Sequence, residues 1–172
     1  MSEPAGTQPP PTTPRFRLGA AGWEHPQWAG AFYPEDLPSD WRLAYYAHFF
    51  GCVLVPAAQW RGAAFAQWLA DTPAHFRFLL QDGPGVEAAQ RALGARCAGV
   101  VEAGGRLRGA ARCELLFLDG AGELRQLARR LQAPRPAGDE VFLVDREADL
   151  RRLREAATLL GLLGLACGPS LV

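Results

Sequence analysis

Short apolar segments alternate with helical patterns along almost the whole chain. The segments that predict strands are residues 16–22, 52–57, 76–80, 114–118, 140–144 and 165–167. Their apolar character is continuous and lacks strict alternation, which is typical of parallel strands buried on both faces. The segments between them are long enough to form crossover helices.

Two amphipathic helices are predicted most clearly, both near the end of the chain. One apolar stripe consists of Leu124, Leu127, Ala128 and Leu131, and the other of Leu150, Leu153, Ala157 and Leu160. Arginines occupy the opposite face of each helix, as expected of faces exposed to solvent. Asp145 precedes the second helix, and we expect it to serve as the N-cap.

The repeating strand and helix units predict an α/β fold with about six units. The chain has 172 residues, which is too short for a full eight-unit α/β barrel. The parallel sheet is therefore either open or an incomplete barrel, and its uncovered edges need a partner. This predicts a homo-oligomer formed through the open sheet edge.

The composition favours one domain after a flexible tail. Residues 1–14 contain five prolines among small polar residues and predict the tail, and residues 15–172 predict a single domain. The start of the chain has no signal-peptide pattern. The most apolar run, residues 159–172, is interrupted by glycines and a proline and is shorter than the roughly 20 residues of a spanning helix. We expect a cytoplasmic protein without a membrane partner.

The charged residues exclude several classes of chemistry. The chain has 18 basic and 18 acidic side chains, and every basic one is arginine. Lysine-based covalent catalysis and a P-loop lysine are therefore excluded. Zero net charge disfavours nucleic acid as a partner. The four cysteines Cys52, Cys97, Cys113 and Cys167 lack zinc-site spacing, and we predict neither a bound metal nor a cofactor.

One segment carries a distinctive pattern of aromatic, glycine and proline residues. It runs from Leu18 to Gly30 as LGAAGWEHPQWAG and continues with Phe-Tyr-Pro-Glu at 32–35. This pattern, with further matches to about residue 80, resembles the YecE-like family, a domain of unknown function. The resemblance implies a TIM-barrel-like fold and a suspected link to metal-dependent endonucleases and sugar isomerases. It implies no settled reaction.

The chain departs from this family at the mouth of the barrel. The resemblance places a carboxylate and an asparagine on the second strand, where this chain has Leu54 and Pro56. The family's lysine after the third strand corresponds to Gln81, and its last two strands have no counterpart. The resemblance therefore implies a shortened, divergent relative that has lost the family's chemistry.

Ligands of parallel α/β folds bind at the carboxyl ends of the strands. The catalytic candidates there are His25, Glu24, Asp119 and Asp145, which together could hold a divalent metal and activate water for phosphoester hydrolysis. The aspartates, including Asp82, also suit turns or helix caps. The candidate ligand-binding residues are Trp23, Trp28, Gln59, Trp60 and Gln81; for Trp23 and Trp28, core packing is the competing interpretation.

Three functions remain open, in this order of preference. The first is a degenerate, non-catalytic module for binding or interaction. The second is a metal-dependent, endonuclease-like phosphoester hydrolase. The third is a binder of single-stranded nucleic acid that uses its tryptophans and arginines.

Overall fold

The computed structural model describes residues 13–109, 111–119, 122 and 124–165. Within this part of the chain the protein is a mixed α/β structure with seven strands and six α-helices. The strands are β1 (Arg15–Ala20), β2 (Cys52–Val55), β3 (Arg77–Gln81), β4 (Cys97–Val101), β5 (Leu107–Arg108), β6 (Cys113–Phe117) and β7 (Glu140–Asp145).

The strands form two sheets. The order is β1-β7-β6 in one sheet and β2-β3-β4-β5 in the other. All pairings are parallel except β4 with β5, which is antiparallel. The continuous apolar segments therefore form parallel strands, as predicted from the sequence.

The two sheets meet where β1 lies beside β2. The N–H of Gly51 donates to the carbonyl of Leu18 at 3.0 Å, and the N–H of Gly22 donates to the carbonyl of Leu54 at 2.8 Å. A side chain at Gly19 could not be accommodated, because its Cβ would lie 2.0 Å from the carbonyl oxygen of Cys52. Glycine is needed at this position because the two backbones approach so closely.

Helices follow β1, β2, β3, β6 and β7. They are α1 (Ser39–Phe49), α2 (Ala57–Trp60), α3 (Phe65–Asp71), α4 (Val86–Leu93), α5 (Leu124–Gln132) and α6 (Leu150–Leu162). Short 3₁₀ turns occur at Pro26–Trp28 and Gly94–Arg96. Among the described residues, no helix is both long and apolar enough to cross a membrane.

Two apolar cores lie on opposite faces of the strands. The larger one packs the helices against the sheets and contains Trp28, Tyr46 and Phe78. The smaller one has no helical member and consists of strand residues from both sheets, including Leu54, Leu79, Phe142 and Val144. We call the face that carries this smaller core the inner face. Its residues alternate with those of the larger core, as the two-residue period of a strand requires.

Most predicted elements are present, and the differences have physical causes. The prediction from the sequence missed β4, because Ala98 and Gly99 are poor strand formers. The strand predicted at 165–167 was wrong at Leu165, which lies in no strand; 166 and 167 lie outside the described residues.

The predicted N-cap was also wrong. The N-cap of α6 is Asp149, whose carboxylate accepts the N–H groups of Arg151 and Arg152. Asp145 instead ends β7 and is fully buried. Four residues separate Asp145 from the first turn of α6, so its side chain cannot reach the free N–H groups there.

The described cysteines are free thiols. Cys52 is buried, and Cys97 and Cys113 are partly buried; Cys167 lies outside the described residues. Burial raises the pKa of the Cys52 thiol to about 12. Burial also raises the pKa values of Cys97 and Cys113. Cys52 therefore packs as a small apolar side chain, as expected from its sequence context.

Candidate functional site

The inner face is filled by apolar side chains at the carboxyl ends of the strands. Leu54 of β2 and Val144 of β7 belong to the smaller core there, and the half-buried Phe117 of β6 and Leu107 of β5 pack against it. The hairpin between β4 and β5 adds to this filling, since a Cβ at Gly105 would lie 2.8 Å from the Phe117 ring. Leu54 occupies the position at which the resemblance placed a carboxylate. The described side chains at this end of the smaller core are therefore apolar.

Glu24 and His25 follow β1 but engage different partners. The Glu24 carboxylate accepts a hydrogen bond from Arg42 Nη1 at 2.8 Å. The His25 ring packs on Trp28, with ring centroids 4.4 Å apart, and its Nε2 lies 3.2 Å from the carbonyl oxygen of Gly22. Burial lowers the pKa of His25, which favours its neutral form.

Asp119 follows β6 and is bound by Arg146. Arg146 Nη2 lies 2.6 Å from Asp119 Oδ2, and the Arg146 backbone N–H donates to Asp119 Oδ1 at 3.2 Å. Partial burial acts to raise the pKa of Asp119, but the hydrogen bonds from Arg146 outweigh it and lower the pKa. The Arg146 guanidinium also packs over the Phe117 ring, 4.3 Å from its centroid. This aspartate is therefore held ionised in an ion pair.

Asp145 ends β7 and is bound from two directions. Its Oδ2 accepts from Arg152 Nε at 2.7 Å, and its Oδ1 accepts the N–H of Glu147 at 2.9 Å. Asp82, which follows β3, pairs with Arg108 at 3.1 Å. Each strand-end carboxylate thus has its own arginine.

The four catalytic candidates are not brought together into one site. Glu24 lines a cleft that includes neither Asp119 nor Asp145. Among the described residues, no three His, Cys, Asp or Glu side chains are grouped closely enough to hold a metal ion. The arrangement offers no shared proton-transfer or metal site to these four residues.

The five ligand-binding candidates are distributed between the core and the surface. Trp28 is fully buried, and its Nε1 donates to the carbonyl of Ala148 at 3.0 Å. Trp60 is buried, and its Nε1 donates to the carbonyl of Gln81 at 2.9 Å. The Gln81 side chain accepts the N–H of Ala57 at 2.9 Å and so binds the first turn of α2. Trp23 and Gln59 line a cleft.

That cleft has a volume of about 620 Å³ and lies beside the carboxyl end of β1, between α1 and α3. We call it the α1–α3 cleft. Its wall is formed by Trp23, Glu24, Ser39, Asp40, Leu43, Gln59, Ala63, Ala64, Gln67, Trp68 and Asp71. The indoles of Trp23 and Trp68 meet edge to face, with centroids 5.0 Å apart. The cleft thus combines apolar rings with carboxylate, amide and hydroxyl groups, as ligand sites do.

Three carboxylates line the cleft, and Asp40 and Asp71 give it a negative character because neither forms an ion pair among the described residues. Arg42 neutralises Glu24, and Gln67 Nε2 donates to Asp71 Oδ1 at 2.7 Å. Asp40 lies in the first turn of α1 and is exposed. The cleft can therefore accept hydrogen bonds from a polar ligand, while its described residues include no nucleophile paired with a base.

The helical part of this cleft was missed by reasoning from the sequence. That reasoning considered only residues directly after strands, whereas Asp40, Gln67 and Asp71 lie on helices. The one usable signal was the concentration of tryptophans between residues 23 and 68.

Comparison with known proteins agrees with the resemblance read from the sequence. The family described as "Protein of unknown function DUF72" matches residues 17–82, which is well under half of the chain. No curated protein and no solved structure matches the chain. Every residue of the α1–α3 cleft lies within the matched segment, so the cleft belongs to the part of the chain that resembles the family.

Proposed function

We propose that this protein is a non-catalytic binding module, derived from an incomplete TIM-barrel-like fold of the YecE-like type, and that its ligand occupies the α1–α3 cleft. One observation carries the proposal: apolar side chains, Leu54, Phe117 and Val144, fill the inner face where parallel α/β enzymes hold their polar catalytic groups. The proposal includes the cytoplasmic location expected from the sequence.

The arginine pairs support the same proposal. Asp119, Asp145 and Glu24 each bind a different guanidinium, which competes with a metal ion for the carboxylate oxygens. A metal ion that displaced the arginine would leave the guanidinium without its counter-charge, and a buried unpaired charge lowers the stability of the fold. The carboxylates therefore act as structural ion pairs.

The α1–α3 cleft supports the binding part of the proposal. It has the volume of a small-molecule site, and its polar groups surround two indole rings. Because the cleft lies at the carboxyl end of β1, it has the position that ligand sites take in parallel α/β folds.

The indole N–H groups allow a direct test by NMR. A fragment library is titrated into ¹⁵N-labelled protein while the indole cross-peaks are followed. We expect binding fragments to shift the Trp23 and Trp68 peaks, which report on the cleft. The Trp28 peak should remain unchanged, since that indole is fully buried and hydrogen-bonded to Ala148.

A variant that fills the cleft provides the control. Ala63→Phe places a ring in the wall of the cleft and should abolish the shifts, whereas Ala92→Phe, on the exposed face of α4, should leave them unchanged. Fragments that shift no cleft tryptophan would contradict the site. Metal-stimulated hydrolysis of bis(p-nitrophenyl) phosphate that is lost in Asp119→Asn would contradict the non-catalytic assignment.

A further inference from the structure

The amino ends of the strands carry charged side chains on the inner face. Arg17 lies near the start of β1, Arg77 is the first residue of β3, and Glu140 is the first residue of β7. Because parallel strands begin at the same edge of a sheet, these side chains meet below the smaller apolar core. We call this group the amino-end cluster. It lies at the opposite end of the strands from the α1–α3 cleft.

Arg17 is the buried member of this cluster. Its side chain is only 5% exposed, and its Nη2 donates to Glu140 Oε1 at 2.8 Å. Its Nε is also buried, yet it finds no hydrogen-bond acceptor among the described residues. A buried donor of a charged group without an acceptor is costly, and such a group calls for a water or an ion.

The cluster contains more positive than negative charge. Glu140 is shared by two guanidiniums, since its Oε2 lies 3.8 Å from Arg77 Nε. Arg77 Nη1 donates to the carbonyls of Ala74 and Phe76, which are uncharged. Among the described residues, Glu140 is therefore the one carboxylate paired with Arg77. The neighbouring carboxylate, Asp139, is bound by Arg112 at 3.0 Å.

Arg96 adds to the positive charge near the cluster, and the pKa of His75 responds to it. The partners of Arg96 among the described residues are uncharged: Arg96 donates to the carbonyls of Phe76 and Thr72 and to the Thr72 hydroxyl. Burial and then the nearby guanidiniums of Arg17, Arg77 and Arg96 lower the pKa of His75, as expected beside an excess of positive charge.

We propose that the amino-end cluster is a binding site for a phosphate-type oxyanion, held by Arg17 and Arg77. A guanidinium is planar and presents several N–H donors, so it recognises tetrahedral oxyanions in two-point contacts. An oxyanion would accept a hydrogen bond from the buried Nε of Arg17. It would also neutralise the positive charge that Glu140, shared by two arginines, does not neutralise. Inorganic phosphate and the phosphoryl group of a small phosphomonoester share this chemistry.

Thermal unfolding in matched salts tests the proposal. The full chain is melted in about 20 mM phosphate and in chloride of the same ionic strength, and we expect phosphate to raise the midpoint Tm by about 3 °C. A titration with methyl phosphate in place of inorganic phosphate distinguishes the two sources, because only a site open to solvent accepts the ester. Both outcomes of that arm support an oxyanion site.

Variants locate the effect. Arg77→Gln should lose the phosphate-dependent rise in Tm, while Arg125→Gln, an exposed arginine on α5, should keep it. Should Arg77→Gln not fold, Arg77→Lys retains the charge without the fork and should reduce the rise. Equal Tm values for the unaltered chain in phosphate and chloride would overturn the proposal and leave water as the partner of Arg17 Nε. An equal rise in all variants would overturn it too.

Discussion

The fully buried carboxylate of Asp145 accepts a hydrogen bond from Arg152 Nε at 2.7 Å. This ion pair connects the end of β7 to the first turn of α6. Arg152 also contacts the exposed Glu147. The hydrogen bonds that Arg152 donates to both carboxylates, Asp145 first, raise the pKa of Arg152. This strand-end aspartate, a catalytic candidate in the sequence, thus connects β7 to α6 through its ion pair.

Loss of this arginine should destabilise the protein strongly. Arg152→Met leaves the Asp145 carboxylate buried without its counter-charge, which we expect to lower the free energy of unfolding by about 3 kcal/mol. Urea denaturation measures the change. Arg151→Met is the matched control, because Arg151 is exposed and lies 3.8 Å from Glu155, a pair worth less than about 0.5 kcal/mol. Equal losses in both variants would contradict the role assigned to Asp145.

The contact between β1 and β2 should tolerate no side chain at Gly19. In Gly19→Ala the new Cβ would lie 2.0 Å from the Cys52 carbonyl oxygen, so the two strands would have to separate. We expect the free energy of unfolding to fall by more than about 3 kcal/mol, or the variant not to fold. Circular dichroism and urea denaturation measure the change.

Gly161→Ala is the control for this substitution. Gly161 lies in α6, and among the described residues no atom outside its own stretch of helix lies within 4 Å of its added Cβ. Alanine should stabilise the helix there by about 0.5–1 kcal/mol. If Gly19→Ala were as stable as the unaltered chain, the close approach of β1 and β2 would be refuted.

The Tyr46 hydroxyl holds the same two strands together. It accepts the N–H of Ala20 at 2.7 Å and donates to the carbonyl of Cys52 at 2.8 Å, and the residue is fully buried. Tyr46→Phe removes both bonds and leaves two buried backbone groups unpaired, at a cost of about 2 kcal/mol in the free energy of unfolding.

Tyr45→Phe is the comparison for Tyr46→Phe. Tyr45 is only half-buried and packs by its ring on Phe32 and Phe49, so removal of its hydroxyl should change stability by less than about 0.5 kcal/mol. Chemical denaturation of the two variants side by side decides the matter. A loss in Tyr45→Phe as large as that in Tyr46→Phe would argue against the hydroxyl's bridging role.

Local patterns in the sequence were sufficient for most of the fold. The apolar run at β7 and the leucine stripe of α6 have one physical interpretation each, because strand and helix periods differ. β4 was missed because Ala98 and Gly99 lack β-propensity and enter the sheet through pairing with β3, a tertiary effect.

The candidate site was predicted less well for a different reason. The strand ends indicated where Glu24, Asp119 and Asp145 lie along the chain. Their arginine partners, in contrast, come from separate elements or from later turns. Nothing in the order of residues shows which arginine reaches which carboxylate, so free acids and ion pairs look alike in the sequence. Leu54, which stands where the resemblance implies a carboxylate, was informative because the structure places its side chain in the smaller core.

The half-buried His25 ring makes stability depend on pH. Burial lowers the pKa of His25 in the folded protein from the ordinary value of 6.5. As the pH falls through 6.5, the unfolded chain therefore binds a proton at this ring more readily than the folded chain does. The free energy of unfolding is therefore expected to fall as the pH is lowered from about 7.5 to 5.5. His75, whose pKa is also lowered, acts in the same direction.

His25→Gln separates the contribution of His25 from that of His75. The variant should show a weaker decline in unfolding free energy over this pH range, and His75→Gln, in a more exposed position, gives the second slope for comparison. An NMR titration of the His25 ring in the folded protein should give a midpoint below 6.5. A midpoint above this value, or unchanged pH dependence in His25→Gln, would show that partial burial against Trp28 does not keep the ring neutral.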